Sequence, residues 1–395
     1  MLFLVAMYVQ LAGAAEPGMA ALEAGRLAEA RTLLERAVQE RPREALLWAA
    51  LARTYFGLNL PGNAADAANK AEQGMAKSPE AQHALALYYA QSGNRKRAAE
   101  LECLYASSAR ADAAAAARAA MLSAEVGHWE PAVAFGQKAL AAGQRLDLIV
   151  PMLARVYETT GKFHEAAEMR RRLAETAPLE EETQAAYGIA LLRAARFGEA
   201  AAHLERSRRR FEQSAQIELA LGTAYYAQRR FPEASARFFR VIDLDPAVHQ
   251  PYIFLARMIG QIPERAKELL GRAKAWHAGG ARHAFTPYVY AKALASTGAE
   301  DAQVRPLLEE AIARDGSRWE FHFEMGQLME RARDYDGAAR AYEKSVACEV
   351  QRPEPHYRLA RVYDRLGRTE EARRERAVHA ELIKKEQQRA EAIEP

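Results

Sequence analysis

Residues 146–178 read LDLIVPMLARVYETTGKFHEAAEMRRRLAETAP. Leu148, Met152, Val156 and Tyr157 recur at the spacing of one helical face. Gly161 is placed to end that helix, because glycine takes up the left-handed conformation at little cost. A second apolar stripe follows on Phe163, Ala166, Ala167 and Leu173, and Pro178 stops it. The stretch predicts two helices joined by a tight turn. The small residues Ala166 and Ala167 mark where the two cross, since a larger side chain there would push the backbones apart.

The same pattern recurs along the chain. Alanine stands at 30, 64, 98, 132, 166, 200 and 234, always 34 residues apart. Tyr55, Tyr89, Tyr157 and Tyr225 lie nine residues before alanines of this series, Gly25, Gly93, Gly127 and Gly161 five before, and Pro42, Pro178 and Pro246 twelve after. The register slips by two after residue 246 and resumes at Gly326 and Ala338, then at Tyr363, Gly367 and Ala372. A period of this length is the signature of stacked supersecondary units. Eleven units start near 11, 45, 79, 113, 147, 181, 215, 249, 285, 319 and 353, the eighth being 36 residues long. Pro251, Pro287 and Pro355 fall at the start of first helices, where no backbone donor is lost. No run alternates as a strand does. The expected fold is all-α, a solenoid of antiparallel helix hairpins.

The fragments WAALARTYFG from Trp48, MLARVYETTG from Met152, LALGTAYYAQRRFPEASARFF from Leu219 and HYRLARVYDRLG from His356 resemble the tetratricopeptide repeat (TPR) family. The resemblance spans roughly residues 17–380 and carries the superhelical fold as its implication. It weakens in the fourth unit, where Ser123 replaces the tyrosine, and in the ninth, where Lys292 holds the usual small-residue site and Val304 that of the alanine. In the eighth, the turn GQIPE at 260–264 is shortened and the exit WHAGGARHAF at 276–285 is long, so the array is expected to bend or loosen there.

Each unit of a solenoid packs on its neighbours alone, so 395 residues need not divide into several globular domains. Residues 16–384 read as one array; the long polar helix from Arg368 is expected to cap it, with 385–395 as its polar end or tail. The N-terminal stretch MLFLVAMYVQLAGAAEP is apolar from Leu2 to Val9 and then small, with Ala12-Gly13-Ala14 and Gly13-Ala14-Ala15 both fitting a cleavage site. Residues 1–15 are therefore expected to be a signal peptide, giving an exported, periplasmic or secreted protein with no transmembrane span in its mature chain. The alternative is that they begin the first helix in a cytoplasmic protein. Pro17 opposes it by falling mid-helix.

The 55 basic and 52 acidic residues leave a net charge of +3, which disfavours an obligate nucleic-acid binder while leaving room for local patches. Arg170–Arg172 and Arg208–Arg210 are the densest basic runs, read first as solvated outer faces. Cys103 and Cys348 lie about seven units apart and are not expected to pair.

No constellation of residues announces catalysis. There is no glycine-rich phosphate loop, and HEAAE from His164 lacks the second histidine of a zinc protease helix. His277 and His283 have no acidic or cysteine partner between 276 and 285, and His322 and His356 sit at equivalent places in neighbouring units. No enzyme activity, metal or cofactor is expected.

Family resemblance places the first helices along a concave groove. Two stripes follow there. Leu219, Ile253, Val289, Phe323 and Tyr357 are the fifth residues of consecutive units, where Ala49, His83, Ala117, Pro151 and Ala185 stand earlier in the chain. They are either an exposed contact strip or packing between adjacent helices. Arg53, Arg155, Arg257 and Arg361 recur every third unit, either as carboxylate-binding groups or as solvated arginines. The lysine and asparagine clamp of TPR modules that grip chaperone tails is absent, with Arg53, His83, Leu87, Arg155 and Ile189 at the groove positions instead. The expected function is a non-catalytic scaffold that binds a protein or peptide partner through its groove, in a bacterial cell-envelope assembly. An RNA-binding helical repeat and a regulatory subunit of an enzyme complex are the alternatives.

Overall fold

The computed structural model describes residues 15–280 and 282–391. The leader expected over residues 1–15 lies, apart from Ala15, outside the described residues. Described residues form 22 α-helices and no strand. In chain order the pairs are Ala15–Glu23 with Leu27–Glu40, Ala45–Gly57 with Pro61–Gly74, Pro79–Gln91 with Arg95–Ala106, Ala115–Glu125 with Trp129–Ala141, and Leu146–Thr159 with Phe163–Thr176. Then come Glu181–Arg193 with Phe197–Arg208, Ala215–Ala227 with Phe231–Leu244, Gln250–Met258 with Ala266–Ala278, Phe285–Ser296 with Asp301–Arg314, Trp319–Arg331 with Tyr335–Cys348, and Pro353–Arg365 with Thr369–Glu391. From the second pair on, first helices begin within two residues of the starts read from the period. The chain divides into two compact units, Met1–Ala195 and Arg196–Pro395.

Alanines of the 34-residue series, Ala30 through Ala234, are at most 1% exposed, and Ala338 and Ala372 are fully buried. Opposite them the first helices carry small residues for the same reason. A Cβ on Gly222 would lie 2.7 Å from the ring of Phe238, and one on Gly326 would lie 2.6 Å from that of Tyr342. Both distances are shorter than carbon atoms tolerate, so only glycine admits these rings.

The turn inside each pair is equally regular. Gly25, Gly93, Gly127, Gly161 and Gly367 have φ between 72° and 89°. At the matching position of other pairs, Asn59, Ala195, Arg229 and Arg333 are held at φ of 56–60°. Arg229 and Arg333 are exposed, so their side chains gain nothing from the core there. Arg229→Gly and Arg333→Gly are each expected to stabilise the second unit by about 0.5–1 kcal/mol, the relief of the left-handed strain exceeding the added freedom of the unfolded chain. Urea titration of each variant checks this, and a fall in midpoint would refute it.

Two kinds of hydrogen bond tie successive pairs together. The fourth residue of the first helix reaches back to close the preceding connection: Trp48 Nε1 donates to the Pro42 carbonyl at 2.8 Å, Gln82 to Met75 at 3.3 Å, Gln184 to Ala177 at 3.2 Å, His322 to Gly316 at 2.9 Å and His356 to Val350 at 3.0 Å. The recurring tyrosine reaches the second helix of the preceding pair. Tyr55, Tyr89, Tyr225 and Tyr363 donate to Glu35, Glu72, Glu205 and Glu343 at 2.9, 3.0, 2.7 and 2.8 Å, and Tyr157 accepts from Gln137 at 2.8 Å. Burial, aided by the carboxylate, pushes the Tyr89 and Tyr225 hydroxyls up to about 12, so these donors keep their protons through the physiological range.

The eighth pair departs from the frame. Its first helix ends at Met258, and two 3-10 turns, Ile259–Gln261 and Pro263–Arg265, replace the usual turn. Stacked rings lie at and around the exit, where the array was expected to bend or loosen. Tyr252 stacks on Trp276 with centroids 4.1 Å apart, His249 on His283 at 4.4 Å, and Phe285 meets Phe321 edge-on at 5.0 Å. Aromatic packing supplies what the lost alanine register would have given.

His356 gives the last pair a pH dependence. It is 3% exposed, and its Nδ1 lies 2.5 Å from Glu375 while Nε2 donates to Val350. With a carboxylate and a carbonyl as acceptors, both nitrogens carry protons. The hydrogen bond to Glu375, against the effect of burial, holds its pKa above 6.5. The stabilisation is fully present below the unfolded value of about 6.5 and is lost as pH rises through the folded one. The last pair is expected to lose stability above neutrality in thermal melts recorded from pH 6 to 9. Glu375→Gln should flatten that dependence, and an unchanged slope in the variant would rule the pair out as its source.

Candidate functional site

The apolar stripe expected on the first helices is not uniform in the structure. Val289 is fully buried and belongs to the core. Leu219 and Ile253 are half-buried. Phe323, also half-buried, packs its ring at 5.6 Å from the buried ring of Tyr342 and 5.8 Å from Trp319. Tyr357 alone of the five is exposed, at 47%, with Arg361 above its ring at 5.7 Å and His379 beside it at 5.5 Å.

The arginine stripe is split in the same way. Arg53 Nη1 donates to Glu23 at 3.0 Å across adjacent first helices, and Arg257 bonds Glu320 at 3.0 Å. Arg155 is exposed and makes no ion pair among the described residues. Arg361 is held by the Tyr357 ring. Arg53 and Arg155 belong to the first unit, Arg257 and Arg361 to the second. Of the outer basic runs, Arg170 is taken up by Glu158 at 2.9 Å and Arg171 by Glu168 at 3.0 Å.

Scattered histidines play structural parts. His322 and His356, which share a register position, each close a loop. His277 bonds Glu310 at 3.0 Å. Among the described residues no group of three His, Cys, Asp or Glu side chains could hold a metal ion, and both cysteines are free thiols.

A cavity of about 350 Å³ opens on the first helices of the third, fourth and fifth pairs in the first unit. Its apolar wall is Leu87, Met121, Leu122 and Leu148, and its depth comes from Ala90, Ala114 and Ala117. Glu125, Arg118 and Arg145 stand around it. Arg118 is fixed by Glu102 at 2.7 Å and Asp112 at 2.8 Å, whereas Arg145 makes only a long 3.4 Å contact with Asp147 and stays exposed. Leu148 is 38% exposed at the rim. The position that carries Phe323 and Tyr357 later in the chain carries Ala117 here, and the missing bulk is the cavity. Sequence reading sought large side chains on the groove and passed over this place. The available signal was the cluster of small residues Ala114 and Ala117 between Leu87 and Met121.

The profile of the tetratricopeptide repeat matches residues 18–81, 186–249 and 293–353. The chain is a tetratricopeptide repeat protein. No curated protein matches it in sequence. Among solved structures, a TPR-like chain in "Structure of Naa15/Naa10 bound to HypK-THB" is similar with a TM-score of 0.51 and 13% identity, over 92% of this chain and 67% of that one. A chain in "Crystal structure of APC/C hetero-tetramer Cut9-Hcn1" has a TM-score of 0.44 and 11% identity, over 92% of each. At such identities the first likeness speaks to the TPR fold alone. TPR repeats form protein-interaction scaffolds.

Proposed function

We propose that this protein is a non-catalytic scaffold that holds a partner protein by a short segment lying across the first helices of the third to fifth pairs. The cavity bounded by Leu87, Met121 and Leu148 carries the reading. Its volume suits one large apolar side chain with the backbone on either side. The loosely held guanidinium of Arg145 favours an acidic residue beside that anchor. Tyr357 and Arg361 form a smaller exposed aromatic and cationic spot in the second unit, separate from this receptor.

The setting of the scaffold is a bacterial cell envelope on this reading. Support comes from the leader-like residues 1–15, with their apolar stretch and small-residue cleavage sites. Among the described residues no helix is long and apolar enough to cross a membrane.

Selection of displayed random peptides on the full chain tests the receptor. Selected peptides should share one large apolar residue with an acidic neighbour. They should keep their affinity for Tyr357→Ala, since that side chain lies outside the cavity. Peptides without a common apolar anchor, or ones that depend on Tyr357, would defeat the proposal. N-terminal sequencing of the protein recovered from fractionated cells tests the export reading, which fails if Met1 is retained on cytoplasmic protein.

A further inference from the structure

The second helices of the second unit carry a cavity of about 550 Å³ that neither catalysis nor segment binding explains. Six arginines line it against four carboxylates, so it holds two more positive than negative groups. Its base is organised by Glu218, which is 1% exposed and receives Arg237 at 3.1 Å, with Arg208 at 3.8 Å. A carboxylate buried to that degree fixes the guanidiniums around it. On the opposite wall Arg265 and Arg272 lie over the buried ring of Phe239 at 5.5 and 5.0 Å, which holds their planes in place. Arg272 is also bonded to Asp243 and to Glu268.

The remaining two guanidiniums form no ion pair among the described residues, although the Glu212 carboxylate lines the same cavity. Arg240 donates to two neutral oxygens, the Glu212 carbonyl at 3.4 Å and Gln213 Oε1 at 3.3 Å. Arg209 is exposed and makes no ion pair among the described residues. The excess of two positive charges over the whole lining matches a dianion, and Arg209 and Arg240, the guanidiniums outside the ion-pair network, offer the donor geometry a phosphate needs.

A second cavity of about 600 Å³ adjoins the first, sharing Asp243 and Arg272 as lining. Apart from those two charged groups its lining is mainly apolar, with Ile242, Pro246 and Ala275 around the stacked Tyr252 and Trp276, which are 2% and 9% exposed. An arginine-rich chamber opening beside an aromatic one suits a ligand with a charged head and an apolar body.

We propose that these two cavities form one site for a small phosphate monoester, the phosphate between Arg209 and Arg240 and a flat apolar body against Trp276 and Tyr252. Calorimetric titration of the full chain with inorganic phosphate, phenyl phosphate and phenol tests it. Phenyl phosphate is expected to bind at least tenfold more tightly than inorganic phosphate, and phenol not at all. Arg209→Gln with Arg240→Gln should weaken both phosphates at least tenfold, with the circular dichroism spectrum unchanged. Ala275→Phe, at an exposed helix position lining the apolar cavity, should erase the advantage of phenyl phosphate and leave inorganic phosphate as it was. Equal affinity for the two phosphates in the unmodified chain, affinity indifferent to the arginine substitutions, or no binding at millimolar ligand would each overturn the proposal.

Discussion

Phe238→Ala is expected to lower the stability of the second unit by about 3–5 kcal/mol, the range for removing a fully buried aromatic ring. Phe238 is 0% exposed, lies on the second helix of the seventh pair, and stacks on Phe254 of the eighth with centroids 4.9 Å apart and planes 4° from parallel. One ring therefore fills the hairpin and joins it to its neighbour. In a solenoid, where stability is the sum of each unit and its interface, losing both together is costly. The same ring faces Gly222, where an added Cβ would come within 2.7 Å of Cε1 and 2.9 Å of Cδ1. Stacked on Phe254, the ring has nowhere to retreat, so Gly222→Val should cost about 2–3 kcal/mol by overpacking. The double variant should be better than the sum of the two by at least about 1 kcal/mol, because Phe238→Ala opens the space that the added valine side chain needs. Urea unfolding followed by far-UV circular dichroism measures the three changes. Strict additivity would mean that glycine and ring do not meet as described.

Met121→Glu is expected to reduce affinity for a selected anchor peptide at least 100-fold, about 2.7 kcal/mol. Met121 is half-exposed on the cavity wall, so a carboxylate there remains solvated in the free protein and the fold should persist. On binding, the anchor would strip water from that carboxylate, Arg118 is already committed to Glu102 and Asp112, and any pairing with Arg145 would take that guanidinium from the acidic neighbour of the anchor. The loss should appear in the dissociation rate, as is usual for contacts at the centre of an interface.

How far the sequence reaches is clear from individual residues. Ala30 to Ala234 and the glycine turns were legible because packing and backbone geometry repeat with the chain, so a single period specifies both. The left-handed residues Ala195, Arg229 and Arg333 were hidden, since the position tolerates side chains at a cost that residue identity does not display. Lys292 and Val304 looked like faults in the ninth unit. In the structure Lys292 bonds Glu324 of the next pair at 2.6 Å and Val304 is 3% exposed, so both are absorbed. The apolar stripe was harder to read. Register identifies which residues face a given side of the array but not how deep each lies, and so Val289 and Tyr357 shared a position while one is core and the other surface. A cavity is worse still, because it is made of what is missing: Ala90, Ala114 and Ala117 matter for the space they leave. The buried Glu218 shares the fourth-residue position with Trp48, Gln82 and His322, yet organises arginines from two other helices, a convergence no local pattern carries.

Photo-crosslinking through the apolar anchor of a selected peptide, followed by mass spectrometry of the full chain, tests the central claim most directly. Adducts are predicted within residues 87–148, at Leu87, Met121, Leu122 or Leu148, and should vanish with Met121→Glu. Adducts concentrated between residues 219 and 361, or an unchanged yield in that variant, would contradict the account.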